Sequence, residues 1–327
     1  MTYLRPTGDP AADVAALDAW LAATDPAPLV VTTSGSTGTP KQVVLSREAV
    51  LASVAASAAR LGGSGRWSLM LPSSYVAGVQ VICRSLVADH APVLGGLGDA
   101  DYVSLVPTQL HRHLDSVSET AALRGIRTIL IGGGPVDPRL RARAASAGLK
   151  LVATYGSAET AGGCVYDGLP LDGVAVALAV DGRIRIAGPT LFDGYLDDDA
   201  QACEVLVDGW FHTSDAGRLD DDGRLHVLGR VDDVAVTGGV NVPLGVVAAR
   251  LRAHPDVSAA EVVGVPDEEW GQRIVAFVVG PVSLEAARDW VAAEHPRAWA
   301  PRSLVALDAL PMLPNGKADR LALQELT

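Results

Sequence analysis

Nine consecutive residues, Thr33-Ser34-Gly35-Ser36-Thr37-Gly38-Thr39-Pro40-Lys41, combine hydroxyls, two glycines and one cation. Glycine frees the backbone to present N–H groups to an anion, the hydroxyls add donors, and the lysine adds a charge. That set binds phosphate. It is not a Walker A loop, which needs G-x-x-x-x-G-K-[ST]: Gly35 and Gly38 are three apart, Pro40 precedes the lysine and Gln42 follows it. A kinase of the P-loop type is therefore disfavoured. Further along come Gly132-Gly133-Gly134-Pro135, Tyr155-Gly156-Ser157-Ala158-Glu159-Thr160, Trp210-Phe211-His212-Thr213-Ser214-Asp215, Gly229-Arg230-Val231-Asp232-Asp233 and Pro314-Asn315-Gly316-Lys317. Each has a plainer reading when taken singly: a tight turn, a helix N-terminal acid, an exposed charged turn, a solvated lysine. A nucleophile elbow G-x-S-x-G and a cysteine paired with histidine are both missing, so covalent catalysis by a side chain has no candidate.

The elements around these segments alternate. Apolar, strand-like runs at 29–33, 67–71, 102–106, 128–131 and 149–154 are separated by helical patterns at 13–23, 46–61, 76–88, 108–117 and 138–147. This wiring predicts an α/β domain with a largely parallel sheet. The phosphate loop is expected between its strand and the helix that Ser46 caps, with Glu48 in the first turn. After about Asp172 the pattern turns to alternating strands at 174–180, 183–187 and 224–228, with Asp181-Gly182 and Asp222-Gly223 as hairpin turns. From Asp233 a small α+β unit is expected, with strands at 259–265 and 273–279, a helix at 283–293 and a loop at 311–317. The expected organisation is a large domain 1–229, a hinge 230–232 and a small domain 233–327.

With 327 residues, 49% of them apolar, the chain has the composition of a soluble globular enzyme, and no apolar run reaches the roughly 20 residues of a membrane span. Residues 1–10 do not read as a signal peptide. A formal charge of -12 disfavours nucleic acid as a partner. Cys83, Cys164 and Cys203 are odd in number and far apart, which fits reduced thiols in the cytoplasm better than disulfides or structural zinc.

In their order and spacing these segments resemble the signature motifs of the adenylate-forming superfamily, which includes acyl-CoA synthetases, peptide-synthetase adenylation domains and luciferases. The resemblance covers about residues 29 to 320. It implies an ATP- and magnesium-dependent ligase that converts a carboxylate to its acyl-adenylate and passes the acyl group to a thiol, here coenzyme A. It implies that Thr33, Ser34, Gly35, Ser36, Thr37, Gly38, Thr39 and Lys41 hold phosphates, that Gly133 and Gly134 let adenine lie on the backbone, and that Tyr155 with Gly156 stacks on it. Glu159 would ligate Mg²⁺, which keeps only one or two carboxylates when it bridges phosphate oxygens. Thr160 would contact phosphate, Asp215 the ribose hydroxyls, and Arg230 ribose and phosphate. Lys317 would meet charge developing at the carboxylate and α-phosphate. Asp232 would be the pivot about which the small domain swings, bringing Gly238 and Gly239 up to line a thiol tunnel. Relative to larger members the large domain would be truncated at its start.

The acid is read from Leu71-Pro72-Ser73-Ser74-Tyr75-Val76-Ala77-Gly78, which resembles the acid-pocket motif, although Tyr75 stands where the family often has histidine. Arg84, nine residues on along the same predicted helix, is expected on the same side of the pocket, with Ser157 also at the acid. An arginine there suits a second, non-reacting carboxylate. With Ser104-Leu105-Val106-Pro107-Thr108-Gln109-Leu110, this placement looks most like the o-succinylbenzoate–CoA ligases of menaquinone synthesis. The alternatives are another small aryl- or acyl-CoA ligase, a freestanding adenylation enzyme that loads a carrier protein, and a non-catalytic nucleotide-binding relative. A homodimer is left open. At 243–247 the chain lacks the family's usual acidic residues, and Gly245 weakens the helix expected there.

Overall fold

The computed structural model describes residues 2–33, 40–231, 233–313 and 318–327. By its own contacts the chain divides into two units. The first comprises residues 1–179, 185–213 and 219–225, and the second 180–184, 214–218 and 226–327.

The first unit is built on a seven-stranded sheet. Its spatial order is Val93–Leu94, Trp67–Leu69, Tyr102–Leu105, Thr128–Ile131, Leu151–Ser157, Gly162–Tyr166, Leu169–Pro170. The first five strands run parallel, and the last two turn back antiparallel. Tyr102–Leu105 is buried at every position, as a parallel strand covered on both faces must be. The faces serve different cores. Tyr102 and Leu130 pack with Trp20, Val50 and Ile82, whereas Val103, Leu105, Ile129 and Ile131 pack with Leu110, Leu123 and Leu140. This is the period-two alternation of side chains across a pleated sheet.

The helices flanking the sheet start where the sequence signals them. Ser46 Oγ accepts the N–H of Ala49 at the head of Arg47–Leu61, which ends at Gly62 in a left-handed conformation. Pro10–Ala22 begins three residues before the expected start, because Asp9 caps it and Pro10 fills its first turn. Val76–Val87 forms as expected. Gly78 lets its first turn press on the preceding loop, where a Cβ would stand 2.2 Å from the Pro72 carbonyl oxygen.

One expectation is corrected. The phosphate loop does not lie between a strand and a helix. Gln42–Leu45 is a strand, antiparallel to Leu29–Thr32 with Thr32 opposite Gln42, and a third short strand, Gly194–Tyr195, pairs with it. The run 33–41 thus joins two antiparallel strands. The run Gln-Val-Val-Leu is short and meets the Ser46 cap with no intervening turn, so no punctuation announces it.

In the second unit, Val240–Pro243, Val234–Thr237, Gly271–Val279 and Ala259–Asp267 form a sheet in that order, with Ser303–Ala306 parallel to Gly271–Val279. The helices Leu244–Arg252, Leu284–Ala292 and Arg320–Gln324 belong to this unit. Val262, Ile274 and Ala276 pack with Val247, Leu251 and Val291 on one face, and Val263, Val275 and Phe277 pack with Leu323 on the other. Complete burial of Leu323 contributes about 2 kcal/mol and holds the last helix down. Gly245 has a packing reason: its Cβ would stand 3.2 Å from Gly229 Cα, so these two chain segments meet backbone to backbone. Leu244–Arg252 is helical despite the glycine and the lack of an acid in its first turn.

Candidate active site

In an open parallel sheet, ligands bind beyond the carboxyl ends of the strands. The motif residues of the first unit leave the sheet at that edge. Gly132 follows Thr128–Ile131 and donates its N–H to the Leu105 carbonyl (3.2 Å). Gly133 adopts φ +78°, and a Cβ on Gly134 would meet nothing within 4 Å. The strand Leu151–Ser157 runs through the first half of its motif, with Tyr155 and Gly156 inside it. Its partner strand crosses so closely that a Cβ on Gly156 would stand 2.1 Å from the Gly162 carbonyl oxygen, and the register shifts at Tyr155/Gly156. Gly156 thus has a structural reason of its own.

The motif's second half is a short turn, Ala158–Thr160. Thr160 is fully buried; its Oγ1 accepts the N–H of Ser157 (2.9 Å) and donates to the Gly162 carbonyl (2.7 Å). That hydroxyl staples the turn rather than facing outward. Ser157 Oγ is buried with no hydrogen-bond partner among the described residues. Glu159 is 8% exposed, and its Oε1 accepts the Tyr195 hydroxyl at 3.0 Å. Burial first, and then the Glu159 charge, push the Tyr195 hydroxyl well above its ordinary range, so it remains a donor. Lys41 Nζ stands 4.9 Å above the Tyr195 ring centroid. Thr33 and Lys41 close the base of the loop: the Thr33 N–H donates to the Lys41 carbonyl (2.8 Å), and the Lys41 N–H to Thr33 Oγ1 (3.1 Å). Tyr195 was not among the residues singled out from sequence; only its three-dimensional neighbours identify it.

Glu159 offers one carboxylate, the number that magnesium retains when phosphates and water fill its other positions. Among the described residues no cluster of three histidine, cysteine or acidic side chains is assembled, so an all-protein metal cage is not what this donor set resembles.

Arg84 is 6% exposed, not a solvated helix cation. Its guanidinium lies 4.9 Å above the Trp67 ring and Nη2 donates to the Tyr166 hydroxyl (3.3 Å), which also pairs with Ser57 Oγ. Nε finds no hydrogen-bond partner, and Arg84 forms no ion pair, among the described residues. A buried guanidinium without a carboxylate is costly unless an anion arrives to meet it. The same-side placement of Tyr75 and Arg84 is corrected. Tyr75 is the N-cap, outside the helical phase, and nine residues at 100° each amount to half a turn out of register.

Asp215 and Arg230 belong to the second unit, and neither is without a partner. Gly238 and Gly239, at φ +56° and +77°, form the two-residue turn of a hairpin, and Gly238 packs on Trp270. Residues 34–39, Asp232 and Lys317 lie outside the described residues, so the phosphate-loop, pivot and lysine assignments that fall on them have no structural account here.

Comparison with known proteins follows the same division. Residues 5–196 match the family described as AMP-binding enzyme, and residues 247–317 match the AMP-binding enzyme C-terminal domain. A Mycobacterium tuberculosis protein named "Probable 2-succinylbenzoate–CoA ligase" is 43% identical over 323 residues, 91% of this chain and 84% of that protein. The o-succinylbenzoate CoA synthetase of Bacillus subtilis, solved with the acyl-adenylate intermediate OSB-AMP, aligns with a TM-score of 0.78 at 27% identity, covering 90% of this chain and 68% of that one. It has also been solved with ATP and a magnesium ion. The amide bond synthetase McbA of Marinactinospora thermotolerans aligns with a TM-score of 0.81 at 28% identity, over 91% of this chain and 69% of that one.

Proposed function

The chain belongs to the AMP-binding enzyme family, and from that premise we infer that it is an ATP- and magnesium-dependent acid–CoA ligase acting on o-succinylbenzoate in menaquinone synthesis. The observation that carries the choice of acid is Arg84, a buried cation with no carboxylate of the described chain to pair with it. A monocarboxylic acid spends its only carboxylate in the reaction. A dicarboxylic acid keeps one, and a planar guanidinium takes it in bidentate fashion. The orphaned hydroxyl of Ser157 completes the proposed acid contacts.

The reaction then proceeds in two displacements. The substrate carboxylate attacks the α-phosphorus of ATP, the bond to the β-phosphate breaks, and pyrophosphate leaves. The thiol of coenzyme A next adds to the acyl carbonyl, and AMP departs. Lys41 and the amides of its loop hold the phosphates, Gly133, Gly134 and Tyr155 receive adenine, and Asp215 and Arg230 bind ribose and phosphate. Magnesium, when bound at Glu159, neutralises charge on the phosphate oxygens. Lys317 offsets charge on the carboxylate as it attacks. These residues contribute by positioning and electrostatics, since the nucleophile belongs to the substrate. The chain pivots at 230–232, with Gly238 and Gly239 lining the thiol's path in the second step. The enzyme works in the cytoplasm, where its substrates are.

The test is an acid panel with ATP, Mg²⁺ and coenzyme A, following pyrophosphate release and thioester mass. o-Succinylbenzoate is expected to give its thioester, with benzoate, 4-chlorobenzoate, medium-chain fatty acids and amino acids far behind. A monocarboxylate as the best substrate would remove the assigned acid. Pyrophosphate release without a thioester would remove coenzyme A as acceptor.

A further inference from the structure

Tyr195 lies on a segment that grips both the base of the phosphate loop and the Glu159 turn. The Phe192 N–H donates to the Glu159 carbonyl (2.9 Å), the Asp193 N–H to Val44 (2.9 Å) and the Leu196 N–H to Gln42 (2.8 Å). Gly194 and Tyr195 pair with Val44 and Val43, in the strand that follows Lys41 directly. Tyr195 is 5% exposed and wedged against Phe192 at 5.0 Å, and Phe192 meets Phe211 edge-on at 5.4 Å. Its ring therefore has little room to move, and both polar partners are set by it.

From this geometry we infer that Tyr195 is a positioning residue for the magnesium–phosphate site: its hydroxyl fixes the Glu159 carboxylate while its ring face seats the Lys41 ammonium. The inference rests on the reading of Glu159 as the metal ligand and Lys41 as the phosphate cation. The hydroxyl occupies Oε1 and leaves Oε2 of Glu159 with no hydrogen bond among the described residues, so one oxygen orients the group and the other is available to a cation. A ligating carboxylate is commonly oriented by such an outer partner, and loss of that partner weakens metal affinity about 10- to 100-fold. A cation over an aromatic face is likewise held at a defined place. One side chain thereby sets the spacing between the positive and negative arms of the site before ATP arrives, and this preorganisation is what electrostatic catalysis requires.

Calorimetric titration of ATP binding against Mg²⁺, without acid or coenzyme A, tests this independently of turnover. Tyr195→Phe keeps the ring and removes the hydroxyl. It is expected to raise the Mg²⁺ concentration for half-maximal ATP binding about tenfold while leaving affinity at saturating Mg²⁺ unchanged. Tyr195→Leu removes both contacts and is expected also to weaken ATP binding at saturating Mg²⁺. Glu159→Gln, measured alongside, separates the two ideas. If it leaves the Mg²⁺ dependence untouched, the reading of Glu159 as ligand falls and takes this inference with it. If Glu159→Gln shifts the dependence and Tyr195→Phe does not, the positioning role alone is overturned. Should Tyr195→Leu fail to fold, the Tyr195→Phe titration decides.

Discussion

Arg320 closes on Asp233, with Nη1 2.6 Å from Oδ1, and on Glu261, with Nη2 2.7 Å from Oε1. One guanidinium thus serves two carboxylates of the second unit, and its Nε adds a bond to Glu261 Oε1 (3.0 Å). Burial opposes the charge on Arg320, yet the bond to Asp233 and the charges of Glu261 and Asp233 outweigh it and hold the group further in its protonated form. Asp233 follows the proposed pivot Asp232 in the sequence, and Arg320 stands three residues beyond the proposed catalytic Lys317, so the pair joins sequence neighbours of two proposed functional residues.

Removing the guanidinium leaves two largely buried carboxylates facing each other. Arg320→Ala is expected to cost the second unit about 3 kcal/mol. Arg320→Lys should lose less, because an ammonium keeps the charge but not the fork that spans both acids. Denaturant midpoints of the three proteins check this, and an unshifted Arg320→Ala midpoint would mean that the carboxylates are solvated instead.

Asp13 carries the clearest pH signature. It is 1% exposed, and its carboxylate accepts the N–H groups of Thr7 (2.7 Å) and Gly8 (2.9 Å) and the hydroxyl of Ser73 (2.5 Å). Burial alone would raise its pKa; the bonds from Ser73, Thr7 and Gly8 outweigh burial and hold it below the ordinary carboxylate range. A depressed folded-state value contributes stability that is fully present above the unfolded value, about 3.9, and is lost as pH falls through the folded value. Unfolding free energy should therefore decline in acid below about pH 4, and Asp13→Asn should lower it at neutral pH and flatten the acid slope. Midpoints in urea at neutral pH and near pH 3 give both numbers; equal slopes in parent and variant would acquit Asp13.

Two motif glycines should behave in opposite ways. A Cβ on Gly156 collides with the Gly162 carbonyl at 2.1 Å, whereas one on Gly134 meets nothing within 4 Å. Gly156→Ala is expected to destabilise the first unit by several kcal/mol, about the size of a steric clash in a packed hairpin. Gly134→Ala should melt like the parent yet raise KM for ATP, because the proposed site lays adenine against the bare backbone there. Thermal melts and ATP kinetics on both variants separate the roles, and normal ATP kinetics in Gly134→Ala would remove that glycine from the nucleotide site.

Much of this was legible in the chain. The parallel strands announce themselves as largely apolar runs, and the helix Arg47–Leu61 as Ser46 followed by an Ala-rich stretch, whereas the Asp9 cap that starts the first helix three residues early was not expected. What stayed hidden was structure without punctuation. Gln42–Leu45 abuts a helix cap and looks like its lead-in, and Leu151–Ser157 runs three residues past the strand end expected at Thr154, through Gly156 and Ser157. The helix expected at 108–117 ends at Asp115, and Val117–Leu123 is a separate short helix outside the expected elements, since Ser116 ends one helix and caps the next. The candidate site divides in the same way. Glu159 and Lys41 are visible as motif residues, but Tyr195, which touches both, sits 36 residues from Glu159 in an unremarkable Gly-Tyr pair.

Arg84 sets stability and function against each other. A buried guanidinium that lacks a carboxylate partner burdens the folded state, so an apolar substitute of similar length should be tolerated or stabilising. Arg84→Met is expected to unfold at the same denaturant concentration as the parent or a higher one. Its KM for the dicarboxylic acid should rise about 100-fold, the equivalent of the roughly 3 kcal/mol in a charged, bidentate pair. The non-reacting carboxylate is bound alike in ground and transition states, so KM should move far more than kcat. Arg84→Lys should fall between, because it keeps the charge and loses the second parallel bond. Steady-state kinetics at saturating ATP and coenzyme A, beside a denaturant series, measure both effects. A variant that loses stability while keeping its KM would make Arg84 a structural cation and leave the second carboxylate to be bound elsewhere.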